Sequence, residues 1–292
     1  MTNQPADPWT VLKLLNWTKE HLARAGVEDP RLAAEVLLAH AMGCERIMLY
    51  ARFDCQPNPE QLSTFRSLVR RAAAYEPIAY LTGDKEFYSL RFKVTPDVLV
   101  PRAETEILVT EALVHLRRLG RDGVLWDVCT GSGCVGIAAA SQAPGLSVLA
   151  TDISPGVIAV AAENAASHKL GDRVRCRVAD LLTLPADCRD LKDFDVITGN
   201  PPYVATNQMV SETVKHEPAI ALYGGRDGLD FIRRVVRGAP AFLRPGGALI
   251  LEFGFGQADD VRDLLLATGG FAEPRILRDH QTIERDLVAI RK

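Results

Sequence analysis

The sequence predicts an α/β protein, with a doubly wound, mostly parallel sheet, a small N-terminal helical bundle and a β-hairpin linker between them. Three observations predict it. From about residue 103 onward, short apolar strands alternate with helical segments, the pattern of βαβ units. Residues 8 to about 76 carry only helical periodicity. Between these regions, residues 86–100 switch to a period of two.

The N-terminal elements come first. Leu12, Leu15, Leu22 and Ala25 recur at helical spacing, and Gly26 follows as a stop. Asp29-Pro30 reads as the N-cap and first residue of a second helix, with Leu32, Val36, Leu37 and His40 on one face. Asn58-Pro59-Glu60-Gln61 starts another helix, and Gln61 is placed to close a capping box. Leu62, Phe65, Leu68 and Val69 form its apolar stripe. In residues 86–100, Phe87, Leu90, Phe92 and Val94 sit among polar residues, as in a hairpin.

The C-terminal part alternates. Strands are expected at 124–128, 146–152, 174–180, 194–200, 248–253, 274–277 and 287–292. Helices are expected after residue 134, at 155–168, near 228–240 and between the last strands. The expected domains are 1–84 (helical, for substrate docking), 85–102 (hairpin linker) and 103–292 (cofactor and chemistry). The chain has 292 residues, 47% of them hydrophobic, which suffices for one α/β domain and a smaller companion.

Composition narrows the function. The formal net charge of -3 lacks the basic surplus of a protein that tracks nucleic-acid phosphates, so no direct nucleic-acid partner is expected. Cys44, Cys55, Cys129, Cys134, Cys176 and Cys188 form no CxxC pair and no zinc-like Cys/His cluster, so no metal is expected. Scattered thiols suit a reducing cytoplasm. The first ten residues have neither a basic nor an apolar leader region, and no apolar run approaches the ~20 residues of a membrane span. The expectation is a cytoplasmic protein with no membrane partner, with a monomer as the default.

Two segments carry candidate chemistry. The first runs from Asp127 to Gly136 between a strand and a helix. Cys129, Thr130, Gly131, Ser132 and Gly133 form a loop in which glycine allows close backbone approach by a ligand. Gly131-x-Gly133-x-x-Gly136 fits the dinucleotide fingerprint, and Asp152 stands where a ribose-binding acid belongs. A nicotinamide cofactor and a ligand-free tight turn are therefore open readings. Asp127 favours S-adenosylmethionine, because a carboxylate there repels a pyrophosphate and attracts the cationic amino-acid end of that molecule. Asp152-Ile153 can take the ribose hydroxyls, and Asp180-Leu181 can bracket an adenine. All lie at carboxyl ends of strands, where open α/β sheets bind ligands. Each aspartate alone could instead cap a helix.

The second segment is Asn200-Pro201-Pro202-Tyr203, after the fourth strand. The prolines stop the strand and leave carbonyls outside the ladder. An asparagine oxygen and a proline carbonyl side by side form two acceptors aimed at one point. That arrangement suits an NH2 group conjugated to a π-system, with Tyr203 stacking on it or walling the pocket. A rigid turn without chemistry is the plainer alternative. Histidines 21, 40, 115, 168, 216 and 280 form no evident group, and no general base is assigned.

These motifs resemble a known family. NPPY after the fourth strand occurs in amino-methyltransferases that act on adenine, guanine or glutamine. The chain is similar to the peptide-chain release factor glutamine methyltransferases of the HemK/PrmC type. The matching pieces are Glu76-Pro-Ile-Ala-Tyr-Leu-Thr-Gly83, Glu86-Phe87, Leu99-Val-Pro-Arg102-x-Glu104-Thr-Glu106, the loop at 129–133, Asn200–Tyr203 and Glu217-Pro-x-x-Ala-Leu-x-Gly224-Gly225-x-Asp227-Gly228-Leu229. The likeness covers roughly residues 10–292. It implies a seven-stranded Rossmann-like methyltransferase domain that uses S-adenosylmethionine. The implied partner and substrate is a class-1 release factor, methylated on the glutamine of its Gly-Gly-Gln loop. By the same likeness Asn200, Pro201, Pro202 and Tyr203 hold the glutamine amide. Pro101, Arg102 and Glu104 shape the pocket or link it to the hairpin. Glu217 and residues 224–228 build the adjoining loop.

The chain departs from the family pattern in three places. Cys129 stands where the family has a glycine, and a positive φ there would strain it. Ala103 replaces a proline, and the glycine usual before Arg285 is missing. Other readings are a nucleic-acid amino-methyltransferase, an oxidoreductase and a non-catalytic module of the same fold.

Overall fold

The computed structural model describes residues 9–119, 122–191 and 193–292; the reading of residues 1–8 as free of a leader lies outside the described residues. The chain divides into two compact units, one running through Gly83 with Ser211–His216 and the other comprising Asp84–Val210 with Glu217–Lys292.

The smaller unit contains α1 (Val11–Arg24), α2 (Pro30–Met42), α3 (Met48–Ala51), α4 (Pro59–Ala73) and α5 (Ile78–Thr82). Its core gathers Val11, Leu22, Leu37, Leu38, Leu49 and Phe65. Both predicted faces are partly those observed: Leu22 and Leu37 are buried and Leu15 packs against the core, but each stripe is shifted. α1 buries Val11, Leu14, Thr18 and Leu22 and leaves Leu12 exposed; α2 buries Ala33, Ala34, Leu37 and Leu38 and leaves Leu32 and His40 exposed. Alanine decides this second case, because small residues let helices approach closely and a count of large residues misses them. Asp29 stands at the N-cap position of α2 with Pro30 first in the helix, as expected, but its side chain does not cap. Its backbone is left-handed, at φ 44, and its side chain makes no capping bond, whereas a capping residue needs an extended backbone. The capping box of Asn58 and Gln61 forms as expected, with both reciprocal bonds.

The larger unit begins with a hairpin of β1 (Asp84–Phe87) and β2 (Leu90–Lys93). Tyr88 and Ser89 turn it with φ values of 51 and 59, the backbone of a type I′ turn. The strands are shorter than the expected 86–100 segment, and residues 94–100 run on without pairing around Pro96. Then follow α6 (Glu106–Arg117), β3 (Val124–Val128), α7 (Cys134–Gln142), β4 (Ser147–Asp152), α8 (Pro155–Ser167), β5 (Val174–Val178), β6 (Phe194–Gly199), α9 (Asp230–Gly238), β7 (Leu243–Glu252), α10 (Ala258–Ala267), β8 (Arg275–Arg278) and β9 (Glu284–Ile290).

The seven strands of the main sheet lie in the order β5-β4-β3-β6-β7-β9-β8. β3 to β7 pair in parallel, whereas β9 runs antiparallel to both β7 and β8. This is the seven-stranded, mostly parallel sheet that the sequence and the resemblance predict. Each face is covered. Leu125, Val148, Val196 and Ile250 pack against α6, α7 and α8; Trp126, Leu149, Ile197 and Leu249 pack against α9 and α10. Burial on both faces explains why these strands read as continuous apolar runs. Chain order reverses at β3, which has β4 on one side and β6 on the other. Such a switch point opens a crevice at the carboxyl ends of the strands. Among the described residues, no helix is long and apolar enough to cross a membrane.

Candidate active site

The crevice at the switch point is a cavity within the larger unit. The ends of β3, β4, β5 and β6 deliver Asp127, Asp152, Asp180 and Asn200 to it. Cys129, Thr130, Gly131, Ser132, Ile153, Leu181, Pro101 and Pro202 also line it. Among the residues singled out from the sequence, Gly133, Pro201, Tyr203 and Glu104 do not reach the lining. Thr105, Phe231 and Ile220 do reach it, and sequence reasoning passed over all three. Thr105 lay inside a quoted motif; the two apolar residues had no signal beyond hydrophobicity.

Asp127 is almost wholly buried, at 2% exposure. Its Oδ2 accepts from the Thr130 hydroxyl (2.5 Å) and the Gly136 amide (3.2 Å), and its Oδ1 accepts from the Thr198 hydroxyl (2.9 Å). Thr198 sits beside it by strand register. Burial pushes its pKa up to about 6, against the pull of these three donors. The carboxylate therefore staples the loop and the start of α7 to two strands, in addition to whatever it presents to a ligand.

The loop turns sharply. Gly131 has φ 55, and Cys129 has φ 56 with no glycine's freedom to adopt it. The strain anticipated for cysteine at this position is thus present. Burial raises the Cys129 thiol far above its ordinary pKa, so it is a neutral thiol and not a nucleophile.

Asp152 accepts from the Gly131 amide through Oδ2 (3.3 Å) and from the Ser154 amide through Oδ1 (3.2 Å). Burial raises its pKa. The residue that caps α8 is Ser154, whose hydroxyl accepts from the Val157 amide. Asp152 is thereby freed from the capping alternative. Beside it Ile153 is half exposed, an apolar surface at the cavity that a flat ring could cover. On the next strand end, Asp180 forms an ion pair with Arg234 of α9 (2.6 Å).

The Asn200–Tyr203 segment is held from two sides. Asn200 Nδ2 donates to the Thr105 hydroxyl (3.2 Å), which donates to Glu252 Oε2 (2.6 Å), while the Tyr203 hydroxyl donates to Glu252 Oε1 (2.9 Å). Burial raises the pKa of Tyr203 well above its usual value and raises that of Glu252 as well. On the other side, the Val204 amide donates to the Leu222 carbonyl, and the Gly224 amide donates to the Val204 carbonyl. Gln257 Nε2 donates to the carbonyls of Tyr203 (3.1 Å) and Asp227 (3.2 Å). Glu217 is buried; it pairs with Arg102 and accepts from the Val100 amide (3.1 Å), clamping the strap that carries Pro101 into the cavity. The long motif after residue 217 is therefore the bracket of the Asn200–Tyr203 turn.

Chemically, the cavity offers acidic strand ends, an apolar wall and an asparagine amide. No histidine lines it. Such a site can orient a polar group for attack; its two carboxyls with raised pKa, Asp127 and Asp152, are already engaged in holding the loop.

Comparison with known proteins agrees with this geometry. Residues 13–83 match the PrmC N-terminal domain, and residues 104–225 match the methyltransferase small domain. The release factor glutamine methyltransferase of Geobacter sulfurreducens is 43% identical over 288 residues, 98% of either chain. That of Rhodopirellula baltica is 41% identical over 287 residues, 96% of either chain. Among solved structures, a methyltransferase from Pyrococcus furiosus aligns with a TM-score of 0.51 at 19% identity, covering 78% of this chain and 98% of that one. The last likeness supports the fold.

Proposed function

The chain belongs to the release factor glutamine methyltransferase family, and from that premise we propose that it methylates the side-chain amide nitrogen of the Gly-Gly-Gln glutamine in class-1 release factors. The observation that carries this reading is Asn200 at the end of β6, lining the same cavity as Asp127, Asp152 and Asp180. S-adenosylmethionine, the methyl donor of such enzymes, supplies a methyl group already activated by its sulfonium. The cavity fits it: Asp152 for the ribose hydroxyls, Ile153 and Leu181 for the adenine, and the 129–133 loop for the amino-acid end. Asp127 acts mainly by holding that loop.

The protein's own task is to position the amide. An amide nitrogen is a poor nucleophile because its lone pair is delocalised. Asn200 Oδ1 and a proline carbonyl accept its two hydrogens and turn the nitrogen toward the methyl group. Tyr203 stands behind the turn and supports it through Glu252. Orientation of this kind contributes ~7–11 kcal/mol in favourable cases. As the N–CH3 bond forms the C–S bond breaks and the neutral thioether, S-adenosylhomocysteine, leaves; the alkylated nitrogen is acidic and gives its proton to water, so no base is needed beforehand.

The helical unit serves to dock the release factor, and the hairpin joins the two parts. Six free thiols support a cytoplasmic enzyme, and the acidic net charge supports one that does not bind nucleic acid directly; a monomer is the default. The test is labelled methyl transfer from S-adenosylmethionine to a release factor, to that factor with the glutamine changed to glutamate, to DNA and to rRNA. Labelling of the unaltered release factor alone is expected. Labelling of a nucleic acid instead would replace the substrate.

A further inference from the structure

One carboxylate reaches both ends of the Asn200–Tyr203 segment. Glu252 closes β7 and is buried, at 1% exposure. Its two oxygens meet two hydroxyls, that of Thr105 at 2.6 Å and that of Tyr203 at 2.9 Å. A hydroxyl has one hydrogen, and a carboxylate only accepts. With its hydrogen directed to Glu252, Thr105 Oγ1 meets Asn200 as an acceptor. The group facing it across 3.2 Å is the Asn200 NH2, and the amide's Oδ1 is turned the other way.

We infer that Thr105 and Glu252 are positioning residues that fix which end of the Asn200 amide faces the substrate. The two ends of an asparagine amide have nearly the same shape, so packing alone does not choose between them. Reversed, Asn200 would present NH2 to the NH2 of glutamine, donor against donor. The relay from Glu252 through Thr105 removes that orientation and leaves Oδ1 as the acceptor. The same carboxylate anchors Tyr203, so one buried group sets both ends of the turn. This inference rests on the methyl-transfer reading above.

The test uses the full chain with S-adenosylmethionine and a release factor. Thr105→Val keeps the shape and removes the relay; Thr105→Ser restores the hydroxyl. In Thr105→Val, kcat is expected to fall about 10- to 100-fold, as a displaced or reversed amide would cause, while KM for S-adenosylmethionine stays unchanged. Thr105→Ser is expected to recover most of the lost kcat. Glu252→Met, of similar length but with no acceptor for either hydroxyl, should reproduce the loss; it decides the matter should the valine variant not fold. Full kcat in the valine variant, or an equal loss in valine and serine, would overturn the inference. Failure of the native enzyme to methylate the release factor would defeat the underlying reading first.

Discussion

Gly224 lies so close to Pro202 that a Cβ added to it would stand 2.3 Å from the Pro202 carbonyl oxygen. The contact joins two motifs that are distant in sequence, and it makes glycine at position 224 a requirement of the turn that holds Asn200. The neighbouring atom is backbone and cannot swing aside. Gly224→Ala must displace one strand of this bracket. Methyl transfer should fall about 10- to 100-fold, with cofactor affinity unchanged, measured by steady-state kinetics and calorimetry side by side. Unaltered kcat would mean that the turn tolerates the shift.

Cys129 makes the opposite prediction. A non-glycine residue held at positive φ costs of order 1 kcal/mol or more, and Cys129 sits at φ 56. Part of that gain is offset by lost packing, since Cys129 is partly buried against the sheet. Cys129→Gly should therefore raise unfolding stability by up to ~1 kcal/mol, read from urea midpoints at constant slope. A loss of stability would show that the cysteine's packing outweighs the strain.

Asp152 holds the cofactor loop by accepting from Gly131 and lies in the cavity with capacity for further donors. Hydrogen bonds to a charged group contribute about 1.5–3 kcal/mol. Asp152→Ala should weaken S-adenosylhomocysteine binding by at least ~10-fold in titration calorimetry. An unchanged dissociation constant would remove Asp152 from the site.

Asp286 supplies a pH signature. It is fully buried beside Glu252 in strand register, and among the described residues neither of its oxygens has a hydrogen-bond partner. Burial, with the nearby negative charge of Glu252 adding to it, pushes its pKa from 3.8 up to about 8. A raised pKa means that the fold favours the protonated form. Its contribution to stability is whole below pH 3.8 and is lost as pH rises through about 8. In Asp286→Asn the group no longer titrates. The melting temperature of the variant relative to the native protein should therefore climb as pH goes from about 6 to about 9. A constant difference across that range would place the ionisation elsewhere.

Much of this architecture was legible in the sequence because it follows from periodicity and from residues with one physical use. The βα alternation, the capping box at Asn58 and the acidic ends of β3, β4 and β5 all belong to that kind. The buried faces of α1 and α2 were partly misread because alanines and one-residue phase shifts carry little hydrophobic signal. Asp29 stands where the sequence places it but makes no capping bond, because composition does not reveal φ. Within the site, Asn200 could be picked out by its motif. Thr105 and Glu252 could not, since their meeting depends on a contact 147 residues apart in the chain. The bond from Thr198 to Asp127 was hidden for a similar reason: Thr198 reaches it only through the register of β3 with β6.

The most direct test of the central claim is peptide mass spectrometry of a release factor incubated with S-adenosylmethionine and either the native chain or Asn200→Ala. Calorimetry would confirm in parallel that both bind the cofactor. The account predicts one added methyl on the amide nitrogen of the Gly-Gly-Gln glutamine with the native chain, and almost none with the variant. Equal methylation by the variant would contradict the role of Asn200. A methyl found elsewhere, or nowhere, with the native chain would contradict the assignment of substrate and site together.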